Sequence, residues 1–190
     1  MAEAGAASET LQDAPYNALA RACHWLTVAL LSAIIPLGLV MGDLPRGLLQ
    51  DTLFVTHESL GLTVLGLTLL RLLWRLARPA PPPSSALTPL ERRASGGVHA
   101  LLYLLLFLMP VTGYLFVAFS GIELRYLGLI PVPLLVAKAK PPADLALAIH
   151  ASLQWAIYGL AALHIGAALY HHFRRRNDVL GRMLPALRRR

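Results

Sequence analysis

The sequence predicts an all-α membrane protein, a bundle of four transmembrane helices, from three observations. The 190-residue chain is 56% hydrophobic and only 14% charged, and its mean hydropathy of +0.58 is typical of a membrane protein. Four stretches have the roughly 20-residue apolar length that crosses about 30 Å of hydrocarbon. Each is apolar nearly all round, which favours a spanning helix over an amphipathic soluble one. The predicted spans are Ala22–Met41, Leu53–Ala77, Gly97–Ser120 and Leu145–Phe173.

The length is that of one domain, and no internal repeat is visible. We expect the bundle to occupy 16–185, between a disordered N-terminal tail, 1–15, and a basic C-terminal tail, 186–190. The first apolar run is long for a signal-peptide core and lacks a small-residue cleavage site, so we expect it to be retained.

The connections between the spans carry their own signals. The proline-rich stretch that starts at Pro79 ends the second helix, because proline removes backbone donors and favours extended chain. Thr88 is then a candidate N-cap, with Pro89 at the first helical position, for a short interfacial helix that leads into the third span. The loop over 121–144 is predicted to be longer than the first outer loop and semi-apolar, with four prolines.

The basic residues predict the orientation of the chain. A net charge of +7 would suit nucleic acid, but thirteen of the seventeen Lys and Arg residues fall in three places that four spans put on one side. The positive-inside rule therefore puts both termini and the loop between the second and third spans in the cytoplasm. Contact with lipid head groups of the bilayer then explains the basic tail without nucleic acid. The three places are Arg21, the arginines between Arg71 and Arg93, and the tail from Arg174 to Arg190.

Seven histidines are present, most of them in or beside the apolar runs. An ionisable group inside a membrane is costly and marks a functional site by default. With the predicted orientation, His57 and His150 share an outer level, while His24 and His164 share an inner one. Fourteen residues separate His150 from His164, about 21 Å along a helix and nearly four whole turns, so both face the same way.

Two histidine pairs at two depths predict two haems. Neutral imidazole is the commonest metal ligand, and bundles build cofactor sites from side chains on facing helices. The single Cys23 permits no CxxCH attachment, so the haems would be held non-covalently. A proton or metal transporter would carry carboxylates deep in the membrane, and structural zinc would need four ligands at one level. A bond to a carbonyl at a helix end explains any single histidine equally well. It does not explain why four histidines pair by depth.

Motifs in order along the chain resemble the bacterial cytochrome b561 family, over 16–185. The first span opens with Tyr16-Asn-Ala-Leu-Ala-Arg-Ala-Cys-His-Trp, where Ser is commoner than Asn in that family. The other matching motifs are Thr56-His-Glu-Ser-Leu-Gly-Leu, Leu70-Arg-Leu-Leu-Trp-Arg, Val98-His-Ala-Leu-Leu-Tyr, Met109-Pro-Val-Thr-Gly-Tyr, Leu163-His-Ile-Gly-Ala-Ala-Leu-Tyr-His-His-Phe and Arg182-Met-Leu-Pro.

The resemblance implies an electron-transport protein of the bacterial inner membrane, with two haem b groups and exchange of electrons with quinone. It assigns the irons to the same pairs, His24 with His164 and His57 with His150. One branch of the family is a superoxide oxidase, an oxidoreductase that oxidises superoxide at the outer face and reduces ubiquinone near the inner face. His99 and His171 match the quinone-contacting histidines of that branch.

A second function stays open. The chain would then be a cytochrome b subunit that accepts electrons from a separate periplasmic oxidoreductase, such as a hydrogenase-type partner. The basic residues of the outer loops bear on this choice, because a basic rim would concentrate a small anion such as superoxide, although they are equally explained as ordinary loop charges. They are Arg46, Arg125, Lys138 and Lys140.

Further residues are expected near these sites. Arg71 and Arg75 reach the cytoplasmic end, where they would pair with haem propionates or snorkel to lipid head groups. Gly61 and Gly66 would let a porphyrin approach the second helix, although glycine is also ordinary at membrane helix contacts. His172, about 100° around the helix from His171, is expected to point away from the quinone site.

Overall fold

The computed structural model describes residues 14–188, so 1–13 of the predicted N-terminal tail and 189–190 of the predicted C-terminal tail lie outside the described residues. Four long helices dominate it, and each is long and apolar enough to cross a membrane. They are α1 (Ala18–Val40), α2 (Leu48–Ala77), α3 (Pro89–Ser120) and α4 (Lys140–Phe173). The predicted class, an all-α membrane protein with four transmembrane helices, is confirmed. The cytoplasmic placement of both termini stays a prediction.

The start of α3 corrects one expectation. Thr88 and Glu91 form a reciprocal capping box: the Thr88 N–H donates to Oε2 of Glu91 at 2.7 Å, and the Glu91 N–H donates to Oγ1 of Thr88 at 3.3 Å. The expected short interfacial helix is not separate, because it forms the first turns of one continuous 32-residue helix. Gly96 and Gly97 each cost a helix interior about 1 kcal/mol, which is too little to break it.

The predicted loop over 121–144 contains regular structure, and its last residues belong to α4, which begins at Lys140. It contains an antiparallel hairpin, β1 (Leu124–Tyr126) and β2 (Ile130–Val132), with Leu124 opposite Val132. Its turn places Leu127 at φ 55° and Gly128 at φ 71°. A left-handed leucine is uncommon, and here its N–H donates to Oγ of Ser59 on α2 at 2.8 Å. A contact distant in sequence therefore stabilises a turn that local propensity does not predict.

The described residues form two compact units, and each takes one segment from every helix. The first unit consists of 14–24, 71–102 and 158–188, and the second of 25–70 and 103–157. His24, His99, His164 and His171 belong to the first unit. His57 and His150 belong to the second unit.

In the first unit a buried arginine joins three stretches of chain. The Arg182 side chain, in a residue only 4% exposed, donates from Nε to the Ala14 carbonyl at 3.1 Å and from Nη2 to the Pro82 carbonyl at 2.7 Å. Its guanidinium also lies 5.4 Å from the centre of the Tyr16 ring. Arg182 thus ties the segment before α1 and the proline-rich linker to the chain beyond α4, where Pro185–Leu187 form a 3₁₀ turn.

Candidate functional site

The first unit brings His24 of α1 and His164 of α4 together. Their ring centres lie 6.2 Å apart, and the ring planes are inclined by 70°. Both residues are half-buried.

The second unit repeats this arrangement with His57 of α2 and His150 of α4. Their ring centres lie 6.3 Å apart, and the planes are inclined by 72°. The structure thus assembles the two histidine pairs that the depth argument expects, each within its own unit.

The spacing of each pair fits a shared metal. An imidazole nitrogen lies about 2 Å from a metal that it binds and about 1 Å from its own ring centre, so two imidazoles on opposite sides of one metal have centres about 6 Å apart. Among residues 14–188 no group of three or more His, Cys, Asp or Glu side chains is placed to hold a metal ion. Each pair therefore offers two ligands, which suits an iron whose other ligands come from a porphyrin.

The tautomer of His150 is set by α3. Nδ1 of His150 lies 2.9 Å from the Met109 carbonyl oxygen, which can only accept, so Nδ1 carries the proton. The Thr112 hydroxyl lies 3.2 Å from the same nitrogen and donates to the carbonyls of Leu108 and Met109. Because a metal-binding histidine commonly donates its other N–H to a carbonyl, Nε2 of His150 is left as the ligand atom.

Two glycines make room for the second-unit pair. A Cβ built on Gly113 would lie 3.1 Å from Cε1 of His150, and one on Gly38 would lie 2.9 Å from Cε1 of His57. Real Cβ atoms essentially never approach below 3.0 Å, so a side chain at Gly38 would displace the ring.

Sequence reasoning pointed to Gly61 and Gly66 and missed both of these glycines. A Cβ would meet nothing within 4 Å at Gly66 and only Ile34, at 3.8 Å, at Gly61. The sequence did contain a signal for the two missed glycines, because each follows a proline inside a predicted span. Gly38 comes two residues after its proline, and Gly113 comes three residues after its own.

His57 has one ring nitrogen without a hydrogen bond. Its Nδ1 is buried and has no hydrogen-bond partner among the described residues. The backbone of Ile34 faces the ring, but not in hydrogen-bonding geometry. A buried polar atom in this state is costly, which marks His57 as a residue with a role other than packing.

His99 packs against a member of the first-unit pair. Its ring centre lies 5.1 Å from that of His164, with the planes at 83°. That spacing is shorter than the shared-metal distance, so His99 supports His164 edge-on. Nδ1 of His99 donates to the Ser95 carbonyl at 2.6 Å, which leaves Nε2 as its second polar atom. Arg71 lies within electrostatic range of both His24 and His164.

His171 occupies a different environment in the same unit. It is 7% exposed, and its Nδ1 lies 2.9 Å from Nδ2 of Asn177. Its Nε2 lies 4.0 Å from Oε1 of Glu91, the oxygen that Arg175 approaches at 3.4 Å. The two histidines expected to contact quinone therefore share the first unit, but their hydrogen bonds go to different partners.

The basic rim predicted from the loops is largely balanced. Nη2 of Arg125 lies 2.8 Å from Oε1 of Glu123, and Nζ of Lys140 lies 2.7 Å from Oδ2 of Asp144. The alkyl chain of Lys138 lies over Gly121, where a Cβ would come within 2.9 Å of Cδ. Two of the four basic residues thus have a carboxylate partner, which weakens their attraction for an anion.

Comparison with known proteins agrees with this geometry. The family model described as prokaryotic cytochrome b561 matches residues 15–186. The chain belongs to the prokaryotic cytochrome b561 family. It is therefore a multi-pass bacterial membrane protein and a b-type cytochrome, and the family implies haem b.

Curated relatives match along nearly their whole length. Cytochrome b561 homolog 2 of Escherichia coli (strain K12) is 34% identical over 173 residues, 89% of this chain and 90% of the relative. Cytochrome b561 homolog 1 of the same organism is 29% identical over 167 residues, 85% of this chain and 92% of the relative. A Yersinia pestis protein named probable superoxide oxidase CybB is 30% identical over 173 residues, 91% of this chain and 97% of the relative.

Proposed function

We propose that this b-type cytochrome holds two haem b groups and transfers electrons across the bacterial inner membrane to quinone. His24 and His164 would hold the iron of the inner haem, and His57 and His150 that of the outer haem. The observation that carries the proposal is the spacing of the ring centres, 6.2 and 6.3 Å, in the two pairs. Haem, when bound, supplies one-electron oxidation and reduction at its iron.

The residues of the chain define what kind of electron transfer this is. With two histidines of the chain holding each haem, the group would supply outer-sphere electron transfer rather than oxygen activation. The bond from His150 to the Met109 carbonyl holds that ligand in the binding tautomer. Arg71, near His24 and His164, would offer a positive charge to a haem propionate.

Superoxide is the electron donor that we favour. Two superoxide ions would give up one electron each and leave as oxygen, and one ubiquinone would take both electrons and two protons to become ubiquinol. The support is the similarity to the protein named probable superoxide oxidase CybB. His99 and His171 are the proposed quinone contacts, since each has one ring nitrogen committed to a neighbour and Nε2 left for a ligand.

A second candidate is favoured by the surface of the hairpin. Leu127, Leu129 and Ile130 are 60%, 74% and 60% exposed, and the adjacent ion pairs weaken the attraction for a free anion. A clustered apolar surface of this kind suits a protein contact. The chain would then be a cytochrome b subunit that receives electrons from a separate periplasmic oxidoreductase, such as a hydrogenase-type partner.

Stopped-flow spectroscopy separates the two candidates. The purified oxidised protein is mixed with superoxide, with and without ubiquinone-1, and the haem Soret band is followed. Reduction of the haems by superoxide, followed by reoxidation that requires quinone, supports the superoxide activity. Haems that stay oxidised with superoxide and yet are reoxidised by ubiquinone-1 after chemical reduction would favour the subunit role.

Two variants with opposite changes of charge test whether electrostatic attraction brings superoxide to the protein. Lys138→Gln removes a positive charge and Asp144→Asn removes a negative one, so they should change the reduction rate in opposite directions, each by about twofold, at low ionic strength. Both effects should fade near 1 M salt, where the screening length is about 3 Å. Equal rates in both variants at low salt would show that electrostatic attraction does not speed the reaction with superoxide.

A further inference from the structure

The C-terminal side of α4 contains an amide placed to control His171. The chain reverses direction at Arg176, whose φ is 51°. This reversal brings Asn177 back against the last turn of the helix, where its N–H donates to the His171 carbonyl at 3.1 Å. The Asn177 side chain then lies 2.9 Å from Nδ1 of the same histidine.

The direction of that side-chain hydrogen bond follows from the other end of the amide. Oδ1 of Asn177 accepts from the Val179 N–H at 3.4 Å, so the oxygen end of the amide is turned towards Val179. The NH₂ end is therefore the one that faces His171. An amide NH₂ can only donate, so Nδ1 of His171 accepts, and the proton of the neutral ring sits on Nε2.

A second contact agrees with this tautomer. Oε1 of Glu91 lies 4.0 Å from Nε2, and a carboxylate facing a ring nitrogen favours N–H over a lone pair. Glu91 cannot close this gap freely, because Oε2 accepts from the Thr88 N–H and Oε1 is approached by Arg175. The Nε2 proton thus lies beyond hydrogen-bond distance of the carboxylate and stays available to a ligand.

We infer that Asn177 is a positioning residue that makes His171 a hydrogen-bond donor, through Nε2, to a carbonyl oxygen of bound quinone. The inference rests on the proposed function, which makes quinone the ligand. Its chemistry differs from that of a proton relay. A relay imidazole gives up the proton on Nε2 and takes up another at Nδ1, whereas Nδ1 of His171 faces an amide NH₂ that has no proton to pass on, so Nε2 only binds and polarises the carbonyl. Titratable groups in contact with His171 include Glu91 on α3 and Tyr170 on α4, and Arg175 beyond α4 approaches Glu91.

The tautomer can be read directly. In the haem-loaded, dithionite-reduced protein labelled with ¹⁵N-histidine, and without quinone, we expect His171 to show a protonated Nε2 and an unprotonated Nδ1. The signal is assigned by its loss in His171→Gln. In Asn177→Asp the partner oxygen can only accept, so Nδ1 must gain a proton. A wild-type spectrum with the proton on Nδ1 would overturn the inference without any variant.

Measurements of quinone affinity test the role of Asn177 separately from the proposed quinone site. Dissociation constants of ubiquinone-1 are measured for the oxidised protein at about pH 9, where an ordinary histidine is neutral. His171→Leu should weaken binding roughly fivefold to tenfold, the value of one neutral hydrogen bond. His171→Gln, whose amide can donate, should lose less, and Asn177→Asp should lose about as much as His171→Leu. His172→Gln is the matched control.

Failure of the proposed quinone site and failure of the role of Asn177 would give different results. Unchanged affinity in His171→Leu means that His171 does not bind quinone, which refutes that part of the proposed function. Weakened binding in His171→Leu with wild-type binding in Asn177→Asp leaves the quinone site in place and refutes the role of Asn177.

Discussion

The Met109 carbonyl oxygen accepts a hydrogen bond from Nδ1 of His150 at 2.9 Å, across 41 positions of sequence. This contact joins α3 to α4 inside the second unit. It gives His150 a defined tautomer before any ligand arrives, and it uses a backbone carbonyl that no side-chain substitution removes. Thr112, whose hydroxyl lies 3.2 Å from the same nitrogen, adds a second polar contact.

The haem content of the purified protein tests the pairing. We expect two non-covalent haems per chain with low-spin spectra, because each pair supplies two imidazoles to one iron. His57→Ala or His150→Ala should lose one haem, and His24→Ala or His164→Ala the other, while His172→Ala keeps both. A pyridine haemochrome titration that gives one haem or none for the wild-type protein would refute the pairing.

The two close glycines should act on the haem proposed for His57 and His150 and not on the other proposed haem. Gly38→Ala places a methyl group 2.9 Å from Cε1 of His57, and Gly113→Ala places one 3.1 Å from Cε1 of His150. Each ring must move by a few tenths of an ångström or rotate, so the electron paramagnetic resonance signal of one haem should shift and that of the other should not. Gly66→Ala, whose methyl group meets nothing within 4 Å, is the control. Unshifted signals in both close-contact variants would place the ligands elsewhere.

The buried Arg182 should matter for stability. Arg182→Met removes the two hydrogen bonds that the buried guanidinium, in a residue only 4% exposed, donates to the carbonyls of Ala14 and Pro82. A hydrogen bond from a charged donor contributes about 1.5–3 kcal/mol, so the loss should be at least about 2 kcal/mol and visible as a lower midpoint of thermal unfolding in detergent. Arg188→Met, which breaks an exposed ion pair with Asp178, should cost under about 1 kcal/mol. Equal midpoints for the two variants would contradict this account.

His99 should affect electron transfer to quinone without holding iron. Its ring lies too close to His164, at 5.1 Å, to share a metal with it, so His99→Phe keeps an edge-on aromatic contact and should retain both haems. Loss of Nε2 should slow the reoxidation of reduced haem by ubiquinone-1. The haem spectrum and the reoxidation rate are measured on the same sample. A lost haem would make His99 a ligand, and an unchanged rate would remove it from the quinone site.

Much of the fold and of the candidate site could be predicted from the sequence, because the signals lie within single stretches of chain or in regular spacing along it. Membrane spans depend on the length and polarity of a continuous stretch, so α1 to α4 follow from hydropathy alone. Depth follows from the fixed rise per residue, and this is why His24 could be matched with His164, and His57 with His150, by counting. The N-cap at Thr88 was predicted as well, because an N-cap is recognised from neighbouring residues, although the part played by Glu91 was not.

The contacts around the histidines could not be predicted in the same way. Which glycine faces His57 depends on how α1 is rotated against α2, and rotation is set by packing rather than by hydropathy. The hairpin turn at Leu127 depends on Ser59, 68 positions away. The basic outer loops suggested an anion-attracting rim until Glu123 and Asp144 were found beside Arg125 and Lys140.

The sequence by itself determined the number of spans and the pairing of the four histidines, because both depend on spacing along one chain, and its motifs indicated the family. Only the tertiary structure decided the chemistry of the ring nitrogens: Met109 fixes the proton of His150, and Asn177 fixes that of His171. A tautomer is chosen by the atom at the far side of the ring. For His150 that atom lies on another helix, and for His171 it lies beyond a chain reversal, so it appears only when the fold brings the two together.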